Sequence, residues 1–364
     1  MEDQSNEQTP FRVLSLDGGG IRGLYTACVL NTLSERFSPS KALDIGGGFD
    51  LIVGTSTGGL LAVALAHGVP LSTLMQFYRE KGSRIFTDPF PGDSKFGMVK
   101  WYLRNFLSSA NQNGPLREAL VSLFGNTTIE EMYTARNIAV CVPSIRLEKH
   151  TPHVFKTPHI KGKHRDNKYS LVNVCLATAA APVYFPMVPL QSPVDAGKYD
   201  VFLDGGLWAN DPVLIGIIEA LEICAGSNRP IHILSIGTSA LPSGESLRRD
   251  KTNHGTMKWL AKGDALRVAM NAQEKASKYM STFLIKHLHN EKRAVQLVRI
   301  KESPASPAQT KQIELDLATN ESLKVLSDLG DFDGTEAYRL THDAQNVEGQ
   351  IISNVFKSMP VWEV

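Results

Sequence analysis

Short apolar runs alternate with amphipathic stretches through the first two-thirds of the chain. Phe11 to Leu16 (FRVLSL), Asp50 to Val53, Asn137 to Val142, Val201 to Asp204 and Ile231 to Ile236 (IHILSI) predict strands. Between them, Gly23 to Phe37, Thr57 to Ala66, Leu71 to Ile85, Leu116 to Phe124, Leu171 to Ala180 and Pro212 to Ala225 carry helical patterns. Pro212 suits a first helical turn, where its missing N–H would have no partner anyway. Strands separated by long helices need crossover connections. The expected fold is therefore α/β, with a mainly parallel central sheet covered on both faces.

The texture changes after Thr238. Pro242 to Thr256 is polar and loop-like, and a long helical pattern then runs from about Met257 to Leu288. Ala269, Ala272, Ala276, Tyr279 or Met280, and Phe283 keep one apolar face at three- and four-residue spacing. The expected organisation is a polar tail over 1–10, a core domain over 11–240 and a mostly helical extension over 241–364 packing on it.

Composition narrows the class. The chain has 364 residues, 42% of them hydrophobic, so it can bury a sizeable core. The net charge of +1 gives no global field toward a nucleic-acid polymer, and none is expected as partner. Cys28, Cys141, Cys175 and Cys224 lie far apart, which suits a reducing compartment rather than a disulfide framework or a structural zinc. Met1 to Pro10 is polar and acidic where a signal peptide would be basic and then apolar. The uncharged stretches Leu51 to Tyr78 and Leu171 to Val194 are broken by glycines or prolines, and neither reads as a membrane span.

Two glycine-rich turns carry the chemistry. The first strand runs into Asp17-Gly18-Gly19-Gly20-Ile21-Arg22-Gly23 and then a helix. The spelling G-x-G-x-x-G fits a dinucleotide site, yet bare backbone N–H groups beside a helix N-terminus stabilise any negative charge, a developing oxyanion included. The second strand runs into Gly54-Thr55-Ser56-Thr57-Gly58-Gly59 and then another helix. This is G-x-S-x-G as a strand–turn–helix elbow, a strained turn that exposes a nucleophilic serine. A dinucleotide enzyme would want an acidic residue at that strand end instead.

A serine hydroxyl needs a base. His232 lies inside a predicted strand, His287 and His289 end a long helix, and His342 sits in an acidic tail, so none occupies an obvious catalytic loop. At Val201-Phe202-Leu203-Asp204-Gly205-Gly206 an acidic residue ends an apolar strand, followed by two glycines. Taken alone, that motif reads equally well as a turn.

These three motifs, in this order, resemble the patatin-like phospholipase family, as does the segment ATAAAPVYF at Ala177 to Phe185. The resemblance covers about Phe11 to Thr238. The glycine run Gly46-Gly47-Gly48 departs from the family pattern and is expected to alter only a turn. The resemblance implies a three-layer α/β sandwich, with Ser56 as nucleophile, Asp204 as base, and Gly18, Gly19, Gly20 and Arg22 as the oxyanion loop. It also implies hydrolysis of fatty-acyl esters of phospholipids, no metal and no cofactor, and a cytoplasmic protein working peripherally at the inner membrane face. A looser resemblance, resting on size and the C-terminal extension, is to bacterial defence effectors switched on by cyclic nucleotides. Alternatives of other classes are a dinucleotide-dependent oxidoreductase and an inactive binding or storage protein on the same fold. The oligomeric state is left open, a homo-oligomer included.

Three further stretches invite a contact role. Arg146 to Lys168 carries a local charge of +5 with His150, His153, His159 and His164; it reads as a solvated loop or a patch for anionic headgroups, since the spacing fits no tight metal set. Phe86, Phe90, Phe96, Trp101, Tyr102 and Phe106 interleave with Lys95, Lys100 and Arg104, a pattern for a lid or interfacial surface, although most of these rings are expected in the core. Arg248 to Lys301 carries +9 against −7 over 302–364, and offers cations to a phosphate-bearing activator or simply a solvated helix face.

Overall fold

A computed structural model describes residues 9–91, 94–192, 197–239 and 264–362. The strands are β1 (Phe11–Leu16), β2 (Leu51–Gly54), β3 (Ala139–Arg146), β4 (Thr151–Lys156), β5 (Val188–Gln191), β6 (Tyr199–Asp204), β7 (Ile231–Ile236) and β8 (Val295–Arg299). The helices are α1 (Gly23–Phe37), α2 (Thr57–His67), α3 (Leu71–Ile85), α4 (Lys95–Arg104), α5 (Asn113–Phe124), α6 (Ile129–Arg136), α7 (Leu171–Thr178), α8 (Gly206–Ala209) and α9 (Val213–Ile223). After them come α10 (Asp264–Asn290), α11 (Pro307–Thr310), α12 (Asn320–Leu340) and α13 (Val347–Lys357).

The sheet order is β5-β6-β3-β2-β1-β7-β8, with β4 pairing β3 off this path. From β3 to β8 every pair is parallel, while β3–β4, β3–β6 and β5–β6 are antiparallel. Side chains alternate across β1 and β2 and so build two cores. Leu14, Leu16 and Ile52 point into the larger one, shared with α1, α2, α3 and α12. Val13, Leu51 and Val53 point into the smaller one, closed by α9 and the end of α10.

Register decides where the chemistry sits. Leu16 pairs with Gly54 on one side and Ile236 on the other, so β1, β2 and β7 end at one level. The glycine loop, the serine elbow and the turn after β7 therefore open at the same sheet edge, where α/β sheets hold their ligands. Because β6 is antiparallel to β3, with Asp204 opposite Ser144, it delivers its last residue to that edge too.

Three strands escape the hydrophobic pattern. β5 contains Pro189 and lies at the sheet margin, where a missing N–H is tolerated. β4 hides in the basic, histidine-rich stretch expected as a loop, yet His153 and Phe155 alternate inward. β8 lies beyond residue 240 and is nevertheless a strand of the main sheet. The C-terminal segment also contributes α12, which lies along α1, with Gly330 and Gly334 facing the Tyr25 and Val29 carbonyls.

α10 differs from expectation in orientation. Ala269, Ala272, Ala276, Tyr279, Met280 and Phe283 are exposed, while Ser277 and Ser281 are buried. The physical reason is the polar surface beneath: Ser277 Oγ donates to the Asp211 carbonyl, and Gln273 and Glu274 accept from Asn210. The part of the predicted helix from Met257 to Gly263 lies outside the described residues.

Candidate active site

Ser56 stands between β2 and α2 at φ 54°, ψ −121°, a conformation costly for any residue with a side chain. The surroundings hold it there. Its N–H donates to Thr178 Oγ1 at 2.9 Å, and Thr178 in turn donates to the Pro143 carbonyl at 2.6 Å. Gly54 and Gly58 close the elbow, since the carbonyl oxygens of Gly58 and Leu16 occupy the space a side chain would need.

Ser56 Oγ donates to Asp204 Oδ2 at 2.9 Å. The other carboxylate oxygen, Oδ1, accepts the Gly206 N–H at 2.6 Å, which fixes the orientation of the group. Gly205 brings this turn against the Pro143 carbonyl, where no side chain would fit. Burial pushes the Asp204 carboxyl up to about 6, and the bonds from Gly206 and Ser56 pull in the opposite direction without cancelling it. The result is a carboxylate basic enough to accept a proton and still ionised at neutral pH.

The glycine loop lies directly beside the serine. A Cβ on Gly18 would come within 3.4 Å of Ser56 Cβ and 2.3 Å of Asn210 Oδ1, so only glycine allows this approach. Gly18 N–H is donated to the Asn210 carbonyl, while the Gly18 carbonyl accepts from Thr238 Oγ1. Gly20 has φ +58° and abuts the Leu315 carbonyl, which accepts the Ile21 N–H at 2.9 Å. With Gly18 engaged, Gly19 and Gly20 are the N–H groups of this loop that have no acceptor among the described residues. Arg22 is buried, its Nε has no hydrogen-bond partner among the described residues, and burial lowers its pKa against the pull of Glu302, Glu274 and Glu314. Gly23 starts α1 against Thr57 and Tyr78, whose hydroxyls lie 2.5 Å apart.

The structure thus brings Gly18, Gly19, Gly20, Ser56 and Asp204 together and places His232, His289 and His342 in other contacts. His232 lies on β7 beside Arg12, His289 bonds the Val295 carbonyl, and His342 packs edge-on against Tyr338. In the basic stretch, His153 faces Asp166, and His159 meets Glu219, which also pairs with Lys156. Cys141, His159 and Glu219 form the one cluster of potential metal ligands among the described residues, but the Lys156 ammonium already supplies the cation there.

Sequence reasoning missed the supports. Arg299 of β8 grips Asp17 with two bonds, Nη1 to Oδ1 at 2.9 Å and Nη2 to Oδ2 at 2.5 Å. Asn210, six residues past Asp204, carries both the glycine loop and α10. Thr55 Oγ1 donates to the Ala209 carbonyl at 2.5 Å and ties the elbow to the aspartate turn. No local pattern announces Arg299; Asn210 at least follows the motif closely, capping α8.

Comparison with known proteins gives the family. The family model described as patatin-like phospholipase matches residues 14–217. A protein of Pseudomonas aeruginosa named cGAMP-activated phospholipase is 35% identical over 74% of this chain and 74% of its own length. One of the same name from Escherichia coli is 35% identical over 65% of each chain. Patatin-like protein 2 of Arabidopsis thaliana is 28% identical over 88% of this chain and 81% of its own length. The chain belongs to the patatin-like phospholipase family, and it is a hydrolase of ester bonds.

Proposed function

We propose that Ser56 and Asp204 act as a two-residue catalytic unit that releases fatty acids from phospholipids at a membrane surface. The observation that carries this reading is the 2.9 Å bond from a strained, elbow-held serine to a buried carboxylate whose pKa is raised to about 6. As Ser56 Oγ attacks the ester carbonyl, Asp204 Oδ2 takes its proton. The tetrahedral oxyanion falls to the free N–H groups of Gly19 and Gly20, each such donor typically contributing about 3–4 kcal/mol. Asp204 then protonates the departing alcohol, and a water deprotonated by Asp204 releases the fatty acid from the acyl-serine. Each proton taken is returned, so the dyad ends as it began. Among the described residues no helix is long and apolar enough to cross a membrane. Fatty-acid release from phospholipid vesicles by the protein, and its loss in Ser56→Ala, tests the reading; persistent release by the variant would refute it.

A second layer concerns control. Relatives matching over most of this chain are named cGAMP-activated phospholipases, which supports activation of this enzyme by a cyclic nucleotide. In the described part of the +9 stretch, some of the cations already have partners. Residues 248–263 lie outside the described residues, while Lys278, Arg293 and Arg299 are engaged by Glu274, the Ser227 carbonyl and Asp17. Turnover measured with and without cGAMP decides this layer: a large rise supports it, and full activity in nucleotide-free protein refutes it.

A further inference from the structure

Among the described residues, a run of exposed apolar side chains lies on and just after α4. Phe96, Val99 and Leu103, at helical three- and four-residue spacing, are 83%, 60% and 75% exposed, and Phe106 and Leu107 continue the stripe at 81% and 93%. Five large apolar side chains this open to water within residues 96–107 are a costly surface for a protein that keeps it unoccupied. The opposite face of α4 explains why the stripe points outward. Trp101 is buried, donates from Nε1 to the Asp88 carbonyl and packs against Phe90. The helix is thus pinned by Trp101 and Tyr102 against Phe90, with its apolar stripe turned away from the core.

Its position relative to the chemistry is specific. The Phe90 N–H is held by Asp316 Oδ2 at 2.7 Å, and the preceding residue, Leu315, is the one whose carbonyl holds Ile21 in the glycine loop. On the other flank, the Ala110 N–H donates to the Val183 carbonyl, and Ala180, three residues earlier, accepts the Asp204 N–H. Val183 and Met187 on that flank are themselves half exposed. Two short connections therefore join the stripe to both halves of the dyad's surroundings. Cations accompany the apolar groups: Lys100 is exposed on α4, and Arg104, paired with Asp88, remains 57% exposed.

We infer that the stripe of Phe96, Val99, Leu103, Phe106 and Leu107 is the surface by which this enzyme docks on a phospholipid bilayer, its apolar side chains entering the acyl boundary and Lys100 meeting anionic headgroups. The inference rests on the phospholipase reading and names the face that meets the substrate. A bilayer suits an amphipathic element with apolar residues on one face and cations beside it, lying in the interface plane. The same stripe is tied through those two backbone connections to the loops around Ser56 and Asp204, so lipids met there are met on the active-site side of the molecule.

The test measures binding apart from turnover. In the Ser56→Ala background, partition onto vesicles of phosphatidylglycerol and phosphatidylcholine is compared with that of a protein also carrying Phe96→Ser, Leu103→Ser and Phe106→Ser. The triple change should weaken partition by at least about tenfold. Lys100→Gln should weaken it on the anionic vesicles and leave pure phosphatidylcholine unaffected. With Ser56 intact, the triple variant should hydrolyse a soluble short-chain ester as wild type does while losing turnover on vesicles. A dye on Phe106→Cys should report an apolar environment when vesicles are added. Unchanged partition of the triple variant, or a dye that stays in water, overturns the inference. So does a dimer in vesicle-free solution that the triple change dissociates, since a second copy would then be the occupant. Retained ester hydrolysis in Ser56→Ala would refute the dyad instead, without touching the binding result.

Discussion

Arg299 and Asp17, 282 residues apart, meet in a two-pronged ion pair at the start of the glycine loop. Arg299 also approaches Asp211 and Glu302, so one guanidinium neutralises three acidic groups. Burial opposes its charge, but the carboxylates of Asp17, Asp211 and Glu302 outweigh that and hold it above its ordinary pKa. The consequence is mechanical as well as electrostatic. Asp17 is the residue on which the glycine loop turns, and its anchor comes from the last strand of the sheet.

Arg299→Ala should therefore weaken both fold and catalysis. Removing one partner of a buried pair leaves the other charge uncompensated, typically at about 3 kcal/mol or more. Arg299→Lys keeps the charge without the planar fork and should recover only part of the loss. Denaturant midpoints and turnover on a soluble ester check this; wild-type values for Arg299→Ala would refute a supporting role.

Gly18→Ala should abolish most activity with a modest effect on folding. The added methyl would meet Asn210 Oδ1 and press on Ser56 Cβ, displacing the loop from the serine that it serves. A displacement of about 1 Å in such a constellation costs on the order of 10²-fold in rate. Turnover and the thermal transition of the variant, measured side by side, separate the two effects.

The pH profile follows from Asp204. Its carboxylate must be ionised to accept a proton, so kcat/KM should fall as pH drops through about 6. The same shift has a stability signature of the opposite sense. With the folded-state value raised from 3.8 to about 6, Asp204 favours the fold below about pH 4, and that contribution disappears as pH rises through about 6. Asp204→Asn removes the penalty and should be more stable than wild type above pH 6, by up to roughly 3 kcal/mol. Chemical unfolding across pH 4 to 8 measures it; a difference that shrinks with rising pH would contradict the assignment.

How much of this was legible in the sequence depended on range. The serine elbow is a local device, written in a few consecutive residues between a strand and a helix, and so it could be read directly; the aspartate turn is equally local but became a candidate base only beside the other two motifs. The parallel strands β1, β2 and β7 are buried on both faces and announce themselves as continuous apolar runs. β4, β5 and β8 could not be read this way, because pairing partners rather than composition make them strands. The outward face of α10 was legible as a periodicity but not as a direction, since the polar surface of Asn210 and Asp211 beneath it is set by tertiary contact. Arg299 was invisible for the same reason: its partner lies at the other end of the chain.

In the proposed mechanism Ser56 attacks and Asp204 takes its proton. The most direct measurement is labelling by a serine-reactive fluorophosphonate, followed by intact mass and peptide mapping, for wild type, Ser56→Ala and Asp204→Asn. One adduct on the Ser56 peptide of the wild type is expected, with none on Ser56→Ala and a labelling rate at least about 10³-fold lower for Asp204→Asn, as for residues acting as one unit. An adduct on a different residue, or wild-type labelling of folded Asp204→Asn, would contradict it.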